Sequence, residues 1–166
     1  GFGEEAVASG LAAAFWLGLT NFAPEVVEVT VPRDSDGRPH ENCRLRRRDL
    51  DPRDVIERDG LRVTALPLTV LEAAVRRGGG IKLVDNALQL HTDLPTLWAA
   101  HLRNKGRYGS PGARRLLRVA EGDSRSEAER IFKRLLNDEG ITGWKANQKV
   151  AGYEVDFEFR HARVVI

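Results

Sequence analysis

The seven residues Tyr153–Phe159, YEVDFEF, constrain this chain more than any others. Tyr153, Val155, Phe157 and Phe159 alternate with Glu154, Asp156 and Glu158, and a period of two puts the two sets on opposite faces of a strand. The apolar face needs something to pack on. Upstream, SRSEAERIFKRLLNDEG carries Ala128, Ile131, Phe132, Leu135 and Leu136 at helical spacing, which predicts an amphipathic helix. Asp123 or Ser126 is expected to cap its start, and Gly140 to end it. GWKANQKVAGYEVDFEFRHARVVI then reads as three strands. The pattern changes near residue 122. The expected architecture is therefore α/β in the broad sense (α+β), with an N-terminal α/β unit over 1–121 and a helix-plus-sheet unit over 122–166.

Earlier in the chain, EEAVASGLAAAFWLGL has helical composition, with Gly18 and Asn21 suited to its end. EVVEVTVP, CRLRRRDL and LRVTALP predict strands, the last two connected through DPRDVIERDG and its Asp-Gly turn. LTVLEAAVRR, IKLVDNALQL and DLPTLWAAHLRNKG predict helices, GGG at 78–80 reads as a flexible stop, and SPGARRLLRVA as a short separate helix.

With 42% hydrophobic and 30% charged residues, the 166-residue chain suits a globular protein. No apolar run is long enough to span a bilayer, so no membrane partner is expected. The single cysteine, Cys43, rules out an internal disulfide framework and favours a reducing, cytoplasmic setting. The absence of methionine reads as the mark of a fragment or processed product. Charge is uneven. Residues 1–99 carry 12 Lys and Arg against 15 Asp and Glu, a net of −3, while residues 100–166 carry 14 against 9, a net of +5. A basic C-terminal part is the balance expected of a protein that meets phosphates.

From the residues alone, the acids of YEVDFEF are either a solvated strand face or part of a carboxylate cluster. Glu127 and Glu129 flank the apolar stripe of the preceding helix, and either can rise toward Asp156. Such a cluster suits a hard cation such as Mg²⁺.

The stretches SEAERIFKRLLNDEGI, VAGYEVDFEF and VVI together resemble the start of a very-short-patch-repair (Vsr)-like endonuclease domain, a branch of the restriction-endonuclease-like PD-(D/E)xK superfamily. The resemblance implies an acid on the first helix, a closing Gly, and a metal-binding Asp on a VDF strand. Glu129, eleven positions before Gly140, matches the helix acid, with Glu127 as second choice, and Asp156 matches the strand Asp. Val164, Val165 and Ile166 match the residues just before the family's Glu-x-Asp-Gly step, which would fall beyond this chain. The implied chemistry is Mg²⁺- or Mn²⁺-dependent phosphodiester hydrolysis on DNA. Asp156 would hold the metal, and Glu129 a second metal or a bridging water. Sharing one hydrated metal would put their oxygens roughly 4–7 Å apart in one cleft. Without the next strand, the chain itself is expected to lack nuclease activity and to bind metal weakly.

Residues 1–121 carry a second resemblance. AVASGLAAAFWLGL, VVEVTVP, DPRDVIERDGLRVTALPLTVLEAA and GSPGARRLLRVA follow the layout of AbiEi-type antitoxin or regulator-like proteins, with Glu72 where Asp is commoner. This implies binding to DNA or to a partner protein without catalysis.

Two basic clusters stand out. Arg103, Lys105, Arg107, Arg114, Arg115 and Arg118, with Tyr108 interleaved, can track a phosphate backbone from a loop and the start of the adjoining helix. Arg44, Arg46, Arg47 and Arg48 form the other, which Asp49, Asp51 and Asp54 are expected to neutralise. The four histidines show no metal spacing, and Cys43 reads as a small core residue.

Overall fold

In the first sheet the shortest strand sits at the centre. Val7–Ser9 (β1) lies between Val27–Val31 (β2) and Leu61–Thr64 (β5), with Cys43–Arg47 (β3) and Val55–Arg58 (β4) at the edges. β1 pairs antiparallel with β2 and parallel with β5, β2 pairs parallel with β3, and β4 and β5 form an antiparallel hairpin. The hairpin turns on Asp59 and Gly60, both with left-handed φ, as a tight Asp-Gly turn requires. The computed structural model describes residues 2–166. They divide into two compact units, Gly1–Glu121 and Gly122–Ile166, and helices accompany sheets throughout, an α+β fold.

Residues 4–19 are not one helix. Val7–Ser9 is a strand, and the helix α1 spans only Gly10–Trp16. Three residues are too few to show a period, and pairing with β2 and β5 overrides local propensity. Gly10 makes the change of direction with φ +59°, and a Cβ there would fall on the Glu28 carboxylate. Gly10→Ala is therefore expected to destabilise the fold by at least about 2 kcal/mol, combining left-handed strain with a clash against a buried acid. Urea unfolding reads this directly, and a change within experimental error would refute it.

Leu66–Ala74 (α2), Ile81–Leu90 (α3) and Leu94–Arg103 (α4) pack with α1 and the start of the last helix. Their core includes Val70, Val84, Ala87, Leu97 and Leu117, all at most 1% exposed. Asp93 caps α4 by accepting from the Thr96 N–H at 2.7 Å. The GGG segment is a fitted stop rather than a loose one. The Gly80 N–H donates to the Ala74 carbonyl at 2.7 Å, and Gly79 lies so close to the Ala73 and Ala74 backbone that a Cβ would clash. This closes α2 just before Arg76 and Arg77, which lie in the turn that follows it.

The expected pair of helices on either side of residue 122 is one helix, Ser110–Asp138 (α5). Asp123 and Ser126 lie inside it instead of capping a new start. Gly122 costs about 1 kcal/mol relative to Ala within a helix, less than ending one helix and nucleating another.

In the second unit Trp144–Val150 (β6), Tyr153–Phe159 (β7) and Val164–Val165 (β8) form an antiparallel sheet with β7 central. Phe157 is buried, edge-on to Phe132 of α5 at 4.8 Å and to Trp144 at 5.7 Å.

Candidate nucleic-acid interface

Parallel pairing sets β2 and β3 in register, so that Glu28 stands beside Arg44 and Thr30 beside Arg46. The Glu28 side chain, only 5% exposed, serves three arginines. Its Oε1 accepts from Arg44 Nη1 and Arg46 Nη2, both at 3.1 Å, and its Oε2 from Arg76 Nε at 3.0 Å. Burial pushes the carboxyl pKa up. The hydrogen bonds and charges of Arg76 and then Arg46 outweigh this and hold it below the ordinary 4.5.

Over this hub lies Tyr108. The guanidinium carbons of Arg46 and Arg76 sit 4.7 and 4.8 Å from its ring centroid, within cation–π range. Yet Tyr108 is 74% exposed. A ring covered on both faces could not keep that exposure, and both guanidiniums bind a single carboxylate. They therefore support one face and leave the other to solvent. Arg76 also lines an adjoining groove of about 550 Å³, together with Arg44, Arg77, Phe22, Pro24 and Glu25.

A second, partly buried carboxylate supports the same region. Glu72 pairs with Arg48 and accepts from the Gly10 N–H at 3.3 Å. Arg107 donates to the Asp49 carbonyl at 2.9 Å. Burial, then the charge of nearby Arg48, lowers the Arg107 pKa below its ordinary value. Arg48, Glu72, His101, Arg107 and Tyr108 line one small cavity. Burial, aided by the charges of Arg114 and Lys105, pushes the His101 pKa below 6.5. Around Tyr108 five guanidiniums thus face two carboxylates, and three of their buried donors, Arg46 Nε, Arg48 Nε and Arg107 Nη1, have no hydrogen-bond partner among the described residues. The surplus charge is positive.

The predicted basic residues divide. Arg103 is taken up by Asp54, with Nη2 to Oδ1 at 2.6 Å, and serves the core. Lys105, Arg114, Arg115 and Arg118 are exposed, and Arg107 is partly buried. The expected neutralisation of Arg44–Arg48 by the nearby aspartates does not occur. Asp49 pairs with Arg33, Asp51 with Arg53 and Asp54 with Arg103, while Glu28, in register on β2, takes Arg44 and Arg46 and Glu72, on α2, takes Arg48. No family model, no curated protein and no solved structure matches the chain.

The acidic pair is arranged differently from the expected cleft. Phe157 turns toward α5, so strand alternation sends Asp156 to the opposite sheet face, where it is exposed. Glu129 stays on α5 and pairs with Lys133 at 3.9 Å, while the Lys133 ammonium lies 5.9 Å from the Phe157 ring. Glu129 thus belongs to the face that Asp156 leaves. Among the described residues no three His, Cys, Asp or Glu side chains gather closely enough to hold a metal ion. As placed, Asp156 and Glu129 do not fit a shared Mg²⁺ or Mn²⁺.

Three interface residues escaped the sequence reading. Phe22, Arg76 and Arg77 come from two separate loops, and Arg76 meets Glu28 across 48 residues of chain. The only local signal was a pair of arginines just before three glycines.

Proposed function

We propose that the chain is a DNA-binding module, antitoxin- or regulator-like in character, that performs no catalysis by itself. The observation that carries this reading is Tyr108, exposed above the guanidiniums of Arg46 and Arg76 and beside a groove lined by Arg44 and Arg77. Fixed arginines suit phosphate oxygens, and an open aromatic face adds a contact that simple charge cannot give. Lys105, Arg114, Arg115 and Arg118 extend the basic surface. The helix-and-hairpin order of the second unit, with Asp156 on its central strand, supports reading that unit as a scaffold of Vsr-like ancestry.

Fluorescence anisotropy with labelled DNA over a salt series tests the proposal. Log affinity should fall linearly with log salt, and charge reversal at Arg77 or Lys105 should flatten the slope by about 1 for each phosphate no longer neutralised. Affinity that is absent, or indifferent to salt, would overturn the reading. In parallel, supercoiled plasmid with Mg²⁺ or Mn²⁺ should stay intact. Nicking by the wild type that disappears in Asp156→Ala would replace this reading with a nuclease.

A further inference from the structure

We infer that Tyr108 is a stacking platform for an unpaired base, so that single-stranded DNA is the preferred ligand of this surface. The inference rests on the DNA-binding reading above and specifies its substrate. In a duplex both faces of each base are covered by neighbours, and a protein ring has nothing to stack on without unstacking a step. In a single strand the base faces are free, and aromatic side chains with arginines beside them hold successive bases.

The geometry of Tyr108 fits the second case. Glu28 holds Arg46 and Arg76 by opposite oxygens, so the support beneath the ring is fixed before any ligand arrives. The ring gains little from burial where it stands, since it is 74% exposed. Its outer face is the part left free. Arg76 joins the ring to the groove, where Phe22 offers a second exposed ring, 47% accessible. Phe22 is itself seated against Gly78, its Cζ within contact distance of where a Cβ would stand. Two rings with Arg76 between them, and Arg44 and Arg77 alongside for phosphates, form a short track for a base–phosphate–base run.

The test uses the whole chain with a single strand of about 12 nucleotides, within the site sizes typical of such surfaces, and a blunt duplex of the same length at the same salt. The single strand should bind roughly tenfold tighter or better, an advantage within the range of one stacked base. Tyr108→Ala should weaken single-strand binding about 5- to 150-fold and duplex binding by a clearly smaller factor, while Tyr108→Phe, which keeps the ring, should bind like the wild type. A fluorescent adenine analogue in the strand should be quenched by the wild type and by Tyr108→Phe, but not by Tyr108→Ala. Because Tyr108 is a surface residue, these variants should fold, and circular dichroism confirms it. Equal losses on single strand and duplex, or no loss on either while the wild type binds, would overturn the stacking role and leave DNA binding standing. Salt-independent or absent binding of both forms would remove the DNA-binding reading and this inference together.

Discussion

Glu28→Gln should destabilise the N-terminal unit by about 3–5 kcal/mol, the range for removing one partner of a buried ion pair. Glutamine keeps the shape of the side chain, so the loss comes from charge and hydrogen bonding, not from a cavity. One end of the amide still accepts a hydrogen bond. The other becomes an NH₂ that faces a guanidinium donor. Arg44, about half exposed, can turn to water, but the Arg46 and Arg76 side chains are only 21% and 12% exposed. They would be left as largely buried cations without a counter-charge. Urea unfolding should show the loss as a lower midpoint, and an unchanged midpoint would show that the arginines do not depend on Glu28. Acid should mimic the substitution. The folded-state pKa of Glu28 lies below 4.5, so its contribution is complete above about pH 4.5 and disappears as pH falls through the lower folded value. His101 acts in a higher window. Its folded pKa lies below 6.5, so the unfolded state takes up its proton first, and stability begins to decline as pH drops below about 6.5.

Asp54→Asn should cost about 3 kcal/mol or more by the same mechanism. Asp54 is 1% exposed. Its oxygens accept from Arg103 Nη2 at 2.6 Å and from Asn104 Nδ2 at 2.8 Å, and its backbone carbonyl accepts from the Ala65 N–H at 2.8 Å. One carboxylate therefore ties the 3-10 turn Pro52–Asp54 to the end of α4, and its backbone ties the same turn to the start of α2. An asparagine amide would set N–H against N–H at one of these contacts. Thermal melting should show a large drop. Arg103→Met, which removes the cation and keeps apolar volume, should restore part of the loss in the double variant, and a lack of any such coupling would refute the pairing as the cause.

The sequence showed elements with a strong period and missed those fixed by tertiary contacts. β7 was legible because seven residues alternate without a break, and the later part of α5 because its apolar stripe is regular. β1 was hidden inside an alanine-rich run whose composition favours helix, and only pairing with β2 and β5 makes it a strand. β4 lay within a segment read as a connector. The site followed the same division. The arginines of β3 were visible, but their partners were assigned by proximity in sequence, to Asp49, Asp51 and Asp54. Glu28 lies 16 residues from Arg44 and 48 from Arg76, and only the parallel β2–β3 register and the end of α2 bring them together. Asp156 and Glu129 were placed by resemblance. The pleat of β7, with Phe157 turned inward, decides which face Asp156 occupies.

The position of β1 has a consequence during synthesis. Val7–Ser9 leaves the ribosome first among the strands, and β2 can cover one of its edges soon afterwards. Its other edge pairs, among the described residues, with Leu61–Thr64. At roughly 5–20 residues per second, the nascent chain carries that open edge for a few seconds after β2 is made. An open edge is a template for pairing with a neighbouring chain on the same polysome, and very short strands are one way to blunt it. A central strand of only three residues offers such a neighbour little to hold.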